Sequence, residues 1–365
     1  MTVSKYIATK LQLKYEEDIR TIAFTLTYFI LFAYLWFNTR FILSDGWLST
    51  KVLLHLPVWL SLCYFSFLGA VATHNVIHCP MFQSRILNRI FQITLSLVYG
   101  HPVTSYVPGH NLSHHKYTQQ RKDVMRTTKL QYKWHLLNGL LFFVKIGVDM
   151  IGNDARYFAI QRKLNRPIIK QLKIEQYILW SITAILAIWD WKAWFVIAFL
   201  PHLYAKFCII SLNLLQHDGC DPESRYNFSR NFTGKWLNFF CYNNGYHTIH
   251  HLHPSVTQRG ISGCRMMTSA IRCQICHSSH LFSVLSFLIS GLHWSLLPDR
   301  HEKELIPYIA PALDQPYILT YIWRTFVYPG IRIDWEGNPW TPPPLEPDVP
   351  WFYEQTETYS TGETN

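Results

Sequence analysis

Four apolar stretches, arranged as two pairs, constrain this chain more than any other feature. Crossing a hydrocarbon core of roughly 30 Å takes about 20 apolar residues in a helix. Residues 21–38 and 52–72 meet that test and are joined by a short polar link containing Asp45 and Gly46. Residues 177–189 and 193–215 form a second pair, which turns at Asp190-Trp191-Lys192. A segment in lipid must satisfy its own backbone hydrogen bonds, so each pair reads as a helical hairpin. Residues 88–100 and 136–151 are apolar but short or interrupted, more like interfacial or buried helices.

At 365 residues, with 15% charged and 16% aromatic side chains, the chain suits a membrane protein with substantial aqueous parts. A net charge of +10 would also fit nucleic acid. The basic residues, however, alternate with apolar segments instead of forming one polar domain, so membrane orientation accounts for them better. Two hairpins leave the N-terminus, residues 73–175 and everything after 216 on one side. Residues 73–175 are dense in Arg and Lys while the opposite links carry little charge, which makes the common side cytosolic. Eight scattered cysteines without a disulfide-framework spacing agree with a reducing compartment. The polar start of the chain has no evident cleavable signal.

Three histidine clusters follow these apolar stretches: His74-Asn-Val-Ile-His78, His110-Asn-Leu-Ser-His114-His115 and His247-Thr-Ile-His250-His251. The predicted topology puts all three on the same side. On a helix, residues four apart share a face, so His74/His78, His110/His114 and His247/His251 each present two imidazoles in one direction. The doublets add a ligand about 100° round the helix, within reach of a second ion. His217, in Asn213-Leu-Leu-Gln-His217, joins the set as the last apolar helix leaves the bilayer, where unpartnered polar groups are costly. Asn213 lies one turn deeper on the same face, suited to hold a metal-bound water. A zinc protease would carry His-Glu-x-x-His, and a carboxylate-bridged di-iron bundle Glu-x-x-His pairs; neither motif occurs. Nine histidines divide naturally between two ions, and all-imidazole ligation of two irons is the remaining good fit.

The order HxxxH, HxxxHH, NxxxH, HxxHH between membrane hairpins resembles the integral-membrane fatty acid desaturase and hydroxylase superfamily. The stretches from Gln216-His-Asp-Gly-Cys-Asp221 to Asn243-Asn-Gly-Tyr-His-Thr-Ile-His-His251 are especially similar to it. The resemblance covers residues 20–254 and resumes at Gly291-Leu-His-Trp-Ser-Leu-Leu-Pro298. It implies an all-α integral membrane fold, with four transmembrane helices in two hairpins and a cytosolic helical cap carrying the site. It implies that His74, His78, His110, His114, His115, His217, His247, His250 and His251 hold two Fe ions, with Asn213 contributing through water. The reaction implied is O2-dependent introduction of a double bond into a fatty acyl chain or related lipid. Hydroxylation and oxidative decarboxylation use the same ligands and stay open. No Gly-x-Gly-x-x-Gly fingerprint or fused haem domain is evident, so electrons come from an external donor, cytochrome b5 or a ferredoxin. The membrane would be the endoplasmic reticulum in a eukaryote or the cytoplasmic membrane in a bacterium. Trp59, Tyr64, Phe65 and Phe67 either line an acyl tunnel or pack between helices.

The organisation expected is a membrane domain over 1–305, a cap segment over 306–338 and a flexible Pro-rich, acidic tail over 339–365. Residues 255–290, rich in Ser, Cys and Met, differ from their flanks and read as an insertion or a translated intron. Cys273-Gln-Ile-Cys276-His277, inside that segment, matches a haem-attachment pattern but sits in the wrong compartment for it. His253, His293 and His301 are candidate supports for the metal ligands. A reading from another class is a polytopic metal-binding transporter or receptor. That class would carry its ionisable ligands near mid-bilayer, whereas these cluster beyond helix ends.

Overall fold

The computed structural model describes residues 2–253 and 291–351. Among these the chain is mostly helical; its one sheet is a two-residue parallel pairing of β1 (Asn231–Phe232) with β2 (Asp314–Gln315). The short helix α1 (Val3–Lys10) leads into α2 (Ile19–Ile42) and α3 (Thr50–His78), the first hairpin. Ser49 caps α3 by accepting a hydrogen bond from the Val52 amide. Helix α4 (Arg85–Tyr99) stops at Gly100, whose φ of 67° few other residues adopt and whose Cα faces the His202 ring. A π-helical turn, Pro108–His114, continues as His115–Tyr117. Then come α5 (His135–Lys163), α6 (Ile168–Trp189) and α7 (Trp191–His217), which contains a π-helical stretch at Trp194–Phe199. Asp190 caps the start of α7 through the Ala193 amide.

Five of these helices are long and apolar enough to cross a membrane: α3, α5, α6, α7 and the Glu16–Ile42 segment containing α2. The fifth relative to expectation is α5. Its apolar run stops near Ile151, as the sequence suggested, but the helix continues through a polar half to Lys163. The hairpin turns meet at one end of the molecule, where Trp36 packs edge-on against Trp189 and Arg40 lies 3.6 Å from Asp190. At the other end, α3 and α7 both finish in histidine. Trp59 donates to the Val196 carbonyl and Phe65 packs against Phe24, so these two aromatics tie helices together.

Beyond α7 the chain forms α8 (Lys235–Phe240) and α9 (His247–Leu252), and the C-terminal part contributes α10, Ile318–Ile322 continuing through Trp323–Val327. The buried Arg332 guanidinium grips both Asp218 oxygens, one at 2.9 Å. Asp218 follows His217 directly, and a Cβ on Gly219 would overlap the Ile333 carbonyl oxygen. A tail free from residue 339 onward was expected, yet residues 343–351 lie fixed against the 121–131 loop. Asp348 pairs with Arg126 and Lys129, the Val349 amide donates to the Arg121 carbonyl, and buried Trp351 donates to Asn153. Opposite charges and one large aromatic anchor outweigh a composition that reads as unstructured.

Removing one partner of a buried ion pair leaves an uncompensated charge and costs about 3–5 kcal/mol. Arg332→Ala should lose stability on that scale in denaturant unfolding in detergent. A loss under about 1 kcal/mol, as for an exposed pair, would contradict the role given to it.

Candidate metal centre

The site is assembled from four elements that end or turn at the same level: α3, the π-helical turn at Pro108–His114 with its continuation, α7 and α9. His74 and His78 occupy the last turn of α3, one above the other. His217 is the last residue of α7. The loop after it folds back tightly: the Arg230 amide donates to the Gln216 carbonyl, and the Arg230 side chain donates to the Leu215 and Asp218 carbonyls. Those contacts satisfy helix-end carbonyls that would otherwise be orphaned. Gly245 then passes so close to Phe232 and Asn238 that a side chain would not fit, which delivers α9 to the site. There the Thr248 amide bonds Asn231.

These elements gather the nine histidines into two groups. In each group, one ring nitrogen per residue lies within 4.8 Å of all the others: His74, His78, His110, His115 and His250 form one, and His114, His217, His247 and His251 the other. The groups adjoin, with the His115 and His251 rings stacked at 4.1 Å. His74/His78 and His247/His251 each stay together, as i, i+4 spacing predicted. His110 and His114 do not, because the second cluster is wound as a π-helix. That geometry aligns residues five apart, so His110 faces His115, with Nε2 atoms 3.0 Å apart, while His114 turns to the other group.

The nitrogens facing inward lack ordinary partners. His78 Nδ1 and Nε2, His114 Nε2 and His251 Nε2 are buried without a hydrogen bond. The closest contacts pair nitrogen with nitrogen: His217 Nε2 to His247 Nε2 at 2.9 Å and His250 Nε2 to His115 Nε2 at 3.1 Å. An unpaired buried polar group costs about 1–3 kcal/mol, so this convergence is unfavourable until cations fill it. Burial first, and neighbouring imidazoles second, hold His110, His115, His247, His250 and His251 well below the usual imidazole range. They are thus neutral at physiological pH, the form that binds metal. The donor set fits two borderline metal ions.

Two of the histidines have the outward-facing nitrogen fixed by an acceptor. His217 Nδ1 donates to the Phe228 carbonyl at 3.0 Å, and His114 Nδ1 to Asp123 at 2.9 Å. Sequence reasoning missed Asp123, a fully buried acid nine residues past His114 inside a basic run. Burial would raise its pKa, but His114 and the Gln119 and Met125 amides outweigh that and hold it below the usual carboxylate range. Asp18 was missed too. It accepts from the Trp294 indole at 3.1 Å and lies 3.2 Å from His293, holding residues 291–297 behind His78 and His250. Of the other histidines singled out, His253 pairs with Glu304 and His301 with Asp314. The Asn213 amide nitrogen donates to the Met125 carbonyl at 2.8 Å. Cys273, Cys276 and His277 lie outside the described residues.

The fatty acid desaturase family model matches residues 51–261, more than half of the chain. The chain therefore belongs to the fatty acid desaturase family, whose members are iron-dependent membrane oxidoreductases of lipid metabolism with histidine boxes. A comparison with curated proteins finds no match. Membership and the two histidine groups together point to a di-iron site.

Losing the carboxylate behind a metal-bound histidine typically weakens metal binding by roughly 10–100-fold. Asp123→Asn should show that loss in a chelator titration of the iron-loaded protein, and Asp123→Glu should recover part of it. Unchanged iron retention in Asp123→Asn would mean that Asp123 only folds its loop.

Proposed function

We propose that this chain is an O2-dependent oxidoreductase that introduces a double bond into a fatty acyl chain or related lipid. His74, His78, His110, His115 and His250 would hold one iron, and His114, His217, His247 and His251 the other. The observation that carries this reading is the pair of adjoining all-imidazole groups at membrane-helix ends in a fatty acid desaturase family member. When bound, the irons supply, with dioxygen and two external electrons, the power to take hydrogen from an unactivated C–H bond. The chain's own residues position the imidazoles. Asp123 and the Phe228 carbonyl keep His114 and His217 protonated on Nδ1, so that Nε2 points inward. Asn213, its nitrogen engaged by Met125, retains Oδ1 to hold a water near His217.

Desaturation removes two hydrogens, reduces one O2 to two waters and consumes two electrons and two protons. Hydroxylation inserts one oxygen atom and releases one water for the same electrons and protons. Both use the same imidazoles, so product analysis separates them. Lys116 and Arg225 flank an open cleft that reaches His115 and His251. That charge supports docking of an acidic donor, cytochrome b5 or a ferredoxin.

Four spans, α2, α3, α6 and α7, remain the preferred topology, with the site on the cytosolic side. Helix α5 would be about 43 Å long at 1.5 Å per residue. His135 at its start lies 3.5 Å from Asp218, Met150 near its middle packs on Gly109, and Tyr157 and Phe158 near its end pack in one cluster with Leu112 and Tyr117. Contacts with the site's level at start, middle and end support a helix that runs along the membrane. The insertion reading of 255–290 also gains support: the Gly291 amide donates to the His78 carbonyl, and the Leu292 amide to that of His253. The described residues that flank the segment, His253 and Gly291-Leu292, thus meet beside the site.

The test is lipid profiling in a host expressing the chain with and without 255–290, alongside His114→Ala and His250→Ala made separately. Each histidine variant should lose iron and the oxidised lipid product. Unchanged product in both would sink the enzyme reading.

A further inference from the structure

We infer that α8 and α10 form an aromatic anchor inserted into the bilayer interface, so that the part of the molecule beyond the spans is bound to lipid along one flank. Helix α10 is polarised between two apolar faces. Tyr321, Thr325 and Phe326 are buried, whereas Leu319, Trp323 and Val327, spaced four apart, are 76%, 58% and 44% exposed. Helix α8 repeats the pattern, with Asn238 buried and Trp236 and Phe239 exposed at 80% and 50%. The two helices belong to one surface: Gly234 lies against the Pro316 carbonyl, and the Thr233 amide donates to Gln315 at 2.9 Å.

This surface is continuous with the membrane-spanning part. Phe240 packs edge-on against Tyr64 in α3 at 6.2 Å, and Tyr242 packs at a tilt against Phe24 in α2 at 5.7 Å. On the other flank, Phe326 stacks on His135 at 4.2 Å and packs on Gly139 of α5. The neighbours of that contact, Leu140 and Val327, are both exposed, and Leu140 opens the apolar stripe Val144, Val148, Ile151. One apolar band therefore runs from α3 across α8 and α10 to α5.

The chemistry of the band suits lipid better than a protein partner. Each helix pairs an exposed tryptophan with an adjacent exposed cation, Lys235-Trp236 and Trp323-Arg324, and neither cation has an ion-pair partner among the described residues. Tryptophan prefers the headgroup level, and a neighbouring cation reaches lipid phosphate. The polar groups of this region segregate elsewhere, around the clefts lined by Lys116, Arg225, Arg126 and Glu223. The inference is independent of the chemistry at the histidines.

Photo-crosslinking in nanodiscs tests it on the full chain. Trp236→benzoylphenylalanine, Leu319→benzoylphenylalanine and Trp323→benzoylphenylalanine should each give lipid adducts by mass spectrometry. Glu336→benzoylphenylalanine, exposed beside the polar cleft, should give none. Lipid adducts at position 336 equal to those at the other three, adducts to a second copy of the chain, or no lipid adducts at 236, 319 and 323 would overturn the anchor. Iron content in each variant checks that the fold is retained, so failure of the anchor is distinct from failure of the metal site.

Discussion

The structure depends on an electrostatic conflict: nine imidazoles, eight of them buried and His115 half-buried, gather their ring nitrogens in two groups, and three nitrogen pairs lie about 3 Å apart. Neutral rings cannot all satisfy one another in that arrangement, and protonated rings would repel. Metal cations between them would resolve it, and two adjoining groups provide for two centres. The surrounding elements make sense as the means of holding this arrangement in place against its own repulsion.

Those means are mostly ordinary backbone devices used at the ends of helices. Arg230 ties off the carbonyls at the end of α7, Gly245 lets the chain pass under Phe232, and Arg332 clamps Asp218 beside His217. The 121–131 loop orients His114 through Asp123 and Asn213 through Met125, and is itself held by residues 343–351. Segments distant in sequence therefore converge on the same few histidines. The spanning helices give the rigid frame, and the loops set the angles.

Much of the site was legible before any coordinates. The i, i+4 pairs in α3 and α9 need only helical geometry, and His217 was marked by its position at the end of an apolar run. What escaped had identifiable causes. The split between His110 and His114 depends on a π-helical turn, which no local spacing rule announces. Asp123 is one acid among many cations, and only its burial against His114 gives it meaning. The docking of residues 343–351 depends on charges on a remote loop, which local composition does not announce. Helix α5 is apolar enough to span by length and hydropathy, while its position is fixed by contacts made in three dimensions.

X-ray absorption combined with Mössbauer spectroscopy of the iron-loaded protein is the most direct measure of the central claim. Paired iron is expected in each chain, ligated by nitrogen and oxygen with the outer-shell scattering of imidazole and no sulfur. A single isolated iron, or thiolate ligation, would contradict it.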